Sequence, residues 1–225
     1  MSGASFRAAR LKRGWTQAWA GARLGVSQTY ISLIESERRS IPPSLLRRAQ
    51  KAFDLPATAL PLGPPLQVDA AGLARAVASL GYSGFAYLRS RARFNPAQVL
   101  LAGLRARDLE ARVVEALPWV ALEFPDLDWE WLLPQAKVGD LQNRLGFVVT
   151  LARRLAEKRD DGSALSKLKE VEERLERSRL AREDTLCHDS LTRAERRWLA
   201  SHRPPDAERW NLLTDLLPEH LRHAP

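Results

Sequence analysis

The sequence predicts an all-α protein in two parts, a small helical domain at the N-terminus and a larger helical domain behind it. Three observations carry this expectation. Residues 16–36 read as two short helices around a glycine turn, and no later segment alternates apolar and polar residues long enough to argue for a sheet. The run Leu60-Pro61-Leu62-Gly63-Pro64-Pro65 breaks any helix and reads as a short, fairly stiff linker. Of 225 residues, a first domain of about 60 leaves enough chain for a second.

Phe6, Ala9, Leu11 and the closing Gly14 mark a first helix. Thr16 and Ser27 are N-caps for the second and third, because a side-chain oxygen can accept one of the free amide donors of the first turn. Between those caps Ala20, Gly21 and Leu24 form an inward face. Gly25 stands where a helix ends on a left-handed residue, a conformation that costs a side chain about 1 kcal/mol. After Ser27 the inward positions are Ile31 and Ile34, which leaves Gln28, Thr29, Ser32 and Leu33 pointing elsewhere. Leu45, Leu46, Ala49, Ala52 and Phe53 mark a fourth helix ending before Leu55-Pro56, and a short fifth is expected over 57–60. Taken alone, two amphipathic helices joined by glycine would also fit plain packing in any helical bundle.

Thr16-Gln17, Gly21, Gly25-Val26-Ser27, Ile31-Ser32 and Ile34-Glu35 go further, because spacing, turn and caps agree together. With them the run resembles the helix-turn-helix of the Xre family, the phage lambda repressor and Cro type, over about residues 4–60. The resemblance implies a lambda-repressor-like five-helix DNA-binding domain at 1–60. It also implies roles: Gln28, Thr29, Ser32 and Leu33 at base edges, Gln17, Arg38, Arg39 and Arg23 at the DNA backbone, and an ion pair between Arg10 and Glu35 inside the domain. The chemistry suits them. A Gln amide can pair bidentately with adenine N6 and N7, Thr and Leu methyls can touch a thymine methyl, and helix N-terminal amides can hold phosphate. Tyr30 reads either as a phosphate contact or as a half-buried ring. Two positions depart from the family pattern: Glu37 stands where a glycine is usual, and Pro42 where a Ser cap is usual. The backbone of 38–43 is left open by this, although the Pro42-Pro43 pair suits a helix entry.

Charge points the same way without any resemblance. Residues 1–60 hold ten basic side chains (Arg7, Arg10, Lys12, Arg13, Arg23, Arg38, Arg39, Arg47, Arg48, Lys51) against Glu35, Glu37 and Asp54, which is +7 of the chain's +8. A cationic front on a near-neutral body is what a polyanion-binding module needs, because neutralised phosphates release condensed counterions. A charge serving solubility alone would have no reason to segregate.

Beyond a linker taken as 61–68, the 69–225 domain is expected to be helical at about 69–80, 96–106, 108–124, 128–137, 140–157, 164–183, 192–201 and 206–217. Asn95-Pro96 is a cap followed by proline at the first helical position, and Thr192-Arg193-Ala194-Glu195 is a capping box. Pro118 and Pro134 are expected to kink or split their helices. Leu100-Leu101, Leu104, Arg105, Asp108-Leu109 and Arg112-Val113 recur 32 residues later as Leu132-Leu133, Ala136, Lys137, Asp140-Leu141 and Arg144-Leu145. Each copy would be a helix, an Asp-capped turn and a longer helix, so the domain reads as a bundle or a short alpha-solenoid. Trp119, Trp129 and Trp131, with Trp198 and Trp210 farther on, read as core rather than as a ligand box. Asp126, Asp128 and Glu130 read as helix capping rather than a calcium loop. The charged helix at 164–183 places Leu165, Leu168, Val171 and Leu175 on one side, and reads as packed on its own domain in preference to a dimer arm.

Catalysis is not signalled. His188, His202, His220 and His223 lack the paired spacing of a zinc protease, Cys187 has no second cysteine for a metal cluster, and no phosphate-cradling glycine loop occurs. No enzyme activity, cofactor or metal is therefore expected. With one cysteine, no N-terminal signal and no apolar stretch of about 18 residues, the chain is expected in the cytoplasm, without disulfides or membrane spans. Two function classes survive. The first is a sequence-specific transcriptional regulator, a repressor of its own operon, that binds double-stranded DNA as a homodimer and uses the second domain for dimerisation, partner binding or sensing. The second is an antitoxin that neutralises a co-encoded protein through its helical C-terminal domain and regulates itself through the helix-turn-helix.

Overall fold

Twelve α-helices, three 3-10 turns and one pair of two-residue strands form the regular structure among the described residues, 3–53, 55–88 and 92–221, of the computed structural model. By internal contacts the chain divides into two units, Met1–Pro61 and Leu62–Pro225.

The first unit holds α1 (Gly3–Lys12), α2 (Gln17–Leu24), α3 (Gln28–Glu35) and α4 (Pro43–Phe53), then a 3-10 turn at Ala57–Ala59 where a fifth helix is expected. Its caps do what their chemistry allows. Thr16 Oγ1 accepts from the Trp19 amide and Ser27 Oγ from the Tyr30 amide, both at 3.1 Å. Gly25 closes α2 at φ +66°, the left-handed geometry that favours glycine. Phe6, Ala20, Leu24, Ile31, Ile34, Leu45, Ala49, Phe53 and Leu55 make the core, with Phe6 and Phe53 edge to face at 5.1 Å. Of the residues that mark α1 in the sequence, Leu11 is 55% exposed, while Phe6 and Arg10 turn inward.

The second unit holds α5 (Ala70–Ser79), α6 (Pro96–Arg105), α7 (Ala111–Glu123), α8 (Trp129–Val138), α9 (Gln142–Lys158), α10 (Gly162–Glu176), β1 (Asp184–Thr185), α11 (Arg193–His202), α12 (Pro205–Arg209) and β2 (Leu212–Leu213). The 3-10 turns Ser83–Phe85 and Pro218–His220 complete it. Helix α6 packs on α7, α8 on α9, α6 on α8 and α7 on α9, the arrangement of two stacked hairpins, and α10 covers α9. The centre is α9, whose residues from Gln142 to Ala152 are all buried. Gly146 admits Trp210 against the helix, and a Cβ there would overlap the indole. Thr150 fixes that ring: its hydroxyl accepts from Trp210 Nε1 at 2.8 Å and donates to Glu172 Oε1 of α10 at 2.7 Å.

Several expected boundaries change for identifiable reasons. The helix expected at 206–217 ends at Arg209, because Asn211 turns left-handed at φ +52° and Leu212–Leu213 pairs in parallel with Asp184–Thr185. The charged helix ends at Glu176 rather than 183, and its stripe of Leu168, Val171 and Leu175 is buried on α9. Neither Pro118 nor Pro134 splits its helix: buried neighbours, Leu117 and Trp119 or Leu132, Leu133 and Ala136, hold each helix in place through the lost backbone bond. The two aspartates of the internal repeat are not caps. Asp108 accepts from the Ser190 amide at 2.9 Å, and Asp140 sits in the turn at φ +54°. Asp128 does cap α8, accepting from the Trp131 amide, while Glu130 pairs with Arg174. Trp119, Trp129 and Trp210 are buried as core, whereas Trp198 is 51% exposed.

Candidate nucleic-acid interface

The interface starts from how closely α2 and α3 approach. A Cβ at Gly21 would lie 2.7 Å from the Val26 carbonyl oxygen and 3.2 Å from the Gln28 amide nitrogen, so the small residue lets the turn fold tightly over α2. Ile31 and Ile34 of α3 are fully buried, which fixes the helix by its inner side. What remains outside is short, polar and uncharged at the helix start. Gln28, Thr29 and Ser32 are exposed and Leu33 is half-buried.

A buried ionic cluster locks this arrangement from behind. Arg10 of α1 donates from Nε and Nη2 to the two carboxylate oxygens of Glu35 at 2.5 and 2.9 Å, with side chains 7% and 4% exposed. Gln17 Nε2 donates to the same carboxylate at 2.9 Å, and Arg10 also reaches the Trp15 carbonyl. Three helices therefore converge on one carboxylate at the end of α3. Burial pushes Glu35 up, but the hydrogen bonds from Arg10 and Gln17 and the Arg10 charge outweigh it and hold the carboxyl below its ordinary value. The resemblance implies a place at the DNA backbone for Gln17, and its bond to Glu35 is a further contact within the domain. No separate sequence signal marks that bond, which depends on how α2 crosses α3.

The arginine loop after α3 is shaped by Glu37, which adopts φ +58° where the family pattern usually has glycine, so the departure is one of residue type and not of backbone. The Arg39 amide donates to the Leu33 carbonyl at 3.1 Å, folding the loop back on α3. Its guanidinium lies 4.7 Å from the centre of the Tyr30 ring, so Tyr30 is a half-buried platform for Arg39. Arg38 and Arg23 are exposed, and Arg23 lies 6.0 Å from the Trp15 ring. Pro42 heads α4 without a side-chain cap, and its carbonyl accepts the Leu46 amide. Two further residues of this unit, one of them among the ten basic side chains counted from the sequence, are exposed. Trp19 is 54% exposed on α2, and Arg48 of α4 reaches the Gly25 turn. The Arg47-Arg48 pair was a visible charge signal, but its placement beside the turn was not.

Cys187 is buried with its thiol on the Gly103 carbonyl at 3.3 Å, and burial pushes that thiol up to about 12. Among the described residues no group of three or more His, Cys, Asp or Glu is placed to hold a metal ion, and no helix is long and apolar enough to cross a membrane. His223 lies outside the described residues.

Residues 6–60 match a protein-family model described as helix-turn-helix, a stretch that falls wholly in the first unit. No curated protein and no solved structure gives a significant match to the chain.

Proposed function

We propose that this chain, whose first unit is a helix-turn-helix DNA-binding domain of the Xre, lambda repressor and Cro type, is a sequence-specific repressor of its own operon acting as a homodimer. The observation that supports this most is the outer surface of α3, where Gln28, Thr29 and Ser32 are exposed and uncharged in a segment that carries +7 of the chain's +8 charge. On this reading α3 enters the major groove by its N-terminal half. Gln28, Thr29, Ser32 and Leu33 read bases, with the Gln28 amide suited to adenine. Arg38 and Arg39 hold phosphates from the loop, Arg39 oriented by Tyr30, and Arg23 and Gln17 hold them from α2, Gln17 through the part of its amide that does not serve Glu35. Residues 61–68 act as a linker and 69–225 as the dimerisation domain, which raises the effective concentration of the second head once the first has bound.

The test is a footprint on DNA upstream of the gene, with full chain and a fragment ending at Leu62. The full chain should protect two half-sites about one helical turn, roughly 34 Å, apart and bind them far more tightly than the fragment. Equal affinity of fragment and full chain would remove dimerisation from the reading. Purification of the full chain in stoichiometric complex with a second operon-encoded protein would replace it with the antitoxin reading.

A further inference from the structure

A cleft of about 450 Å³ opens within the second unit, a size inside the range of roughly 300–1,000 Å³ typical of small-molecule sites. Its walls are apolar and come from separate elements: Val114 of α7, Leu186 beside β1, Leu199 of α11 and Leu213 of β2. The ionisable lining is one-sided. Among the described residues Glu115, Glu195 and Asp215 border the cleft and no lysine or arginine does, in a chain with 35 Lys and Arg against 27 Asp and Glu. The other titratable groups there are the imidazoles of His188 and His220.

Two of these groups are held in place. Glu195 is fixed by the capping box of α11, where its carboxylate accepts from the Thr192 amide and hydroxyl, both at 2.7 Å. Trp198 borders the cleft while half exposed, an unusual position for so large an apolar ring. His202 stacks on the indole at 4.5 Å and 9°, and its Nδ1 lies 2.8 Å from the Trp198 carbonyl oxygen, so the ring is a preset aromatic wall.

We propose that this cleft binds a small organic cation with an apolar or aromatic body, of the amine or quaternary ammonium class. The leucine and valine walls take the body, the carboxylates supply a field that favours positive charge, and the indole adds a face that attracts a cation. A neutral or anionic ligand of equal size would gain the walls alone. The site is independent of the DNA-binding reading, since every lining residue belongs to the second unit.

The experiment titrates the full chain by calorimetry with benzyltrimethylammonium, benzyl alcohol and phenylacetate. The cation should bind one to one and at least about tenfold more tightly than either of the others. The chain's net charge of +8 favours the anion, so a preference for the cation is not a bulk charge effect, and the cleft variants place it. Trp198→Ala and the double variant Glu115→Gln/Asp215→Asn should each weaken the cation by about tenfold, at an unchanged melting temperature. Phenylacetate or benzyl alcohol binding as tightly as the cation overturns the proposal on unmodified protein, whatever the variants do. Cation affinity unchanged in both folded variants overturns it equally.

Discussion

Glu35 and Arg10 present the sharpest energetic test of the first unit. Their side chains are 4% and 7% exposed and share two hydrogen bonds, with Gln17 adding a third to the same carboxylate. Replacing one partner, by Arg10→Met or Glu35→Leu, leaves a buried charge uncompensated and should cost about 3–5 kcal/mol. Replacing both removes the desolvated charges together, so the double variant should lose less than about 2 kcal/mol, most of it from the orphaned Gln17 amide. Since a domain is stable by only about 5–15 kcal/mol, either single variant should populate unfolded first unit measurably while the double does not. Urea unfolding of the full chain, read by hydrogen exchange across residues 3–53, separates this unit from the second. The pH dependence has a fixed sign. Glu35 is held below its unfolded value, so its contribution is complete above about pH 4.3 and is lost as pH falls through the folded value. The double variant should lack that part of the acid destabilisation. Additive single costs below about 1 kcal/mol, or an identical acid transition in the double variant, would refute the reasoning.

Replacing Arg38 and Arg39 together by Ala should weaken binding to every DNA sequence alike and flatten the slope of log K against log salt by roughly 0.9 per lost contact, and an unchanged slope would place both off the DNA. Thr150→Val removes the hydroxyl shared by Trp210 Nε1 and Glu172 and should lower second-unit stability by about 2 kcal/mol, seen in thermal unfolding; a change within about 0.5 kcal/mol would mean that these buried partners are satisfied otherwise. Cys187, buried and with its thiol pushed up to about 12, should resist iodoacetamide at pH 8 in the native chain and react at once in urea, and rapid native labelling would contradict the packing around Gly103.

Local chemistry was readable where one residue decides the outcome. Thr16, Ser27, Asn95 and the Thr192–Glu195 box all cap as their side chains predict, and Gly25 turns left-handed. Periodicity located Ile31 and Ile34 inside and left Gln28, Thr29 and Ser32 outside. What depends on contacts between distant segments was not readable. Asp108 looks like a cap in sequence, yet Ser190 claims its carboxylate from 82 residues away. Leu212 and Leu213 continue a helical pattern until Asp184 and Thr185 offer them a parallel partner. The same limit hid the bond from Gln17 to Glu35 and the stacking of Arg39 on Tyr30, because both follow from the crossing of elements and not from the spacing within one.

The claim that α3 reads bases by its N-terminal half is tested most directly by in-vitro selection of operators with Gln28→Ala beside the unmodified chain. Ile31→Ala is the folding control: that side chain is fully buried, and its loss should cost about 2–4 kcal/mol of first-unit stability. The account predicts that Gln28→Ala melts as the parent does, loses about 1–3 kcal/mol per half-site at the preferred operator, and relaxes selection at one base pair while non-specific binding barely changes. A Gln28→Ala protein that keeps the parent's preference at every operator position would contradict it, and with it the orientation assigned to α3.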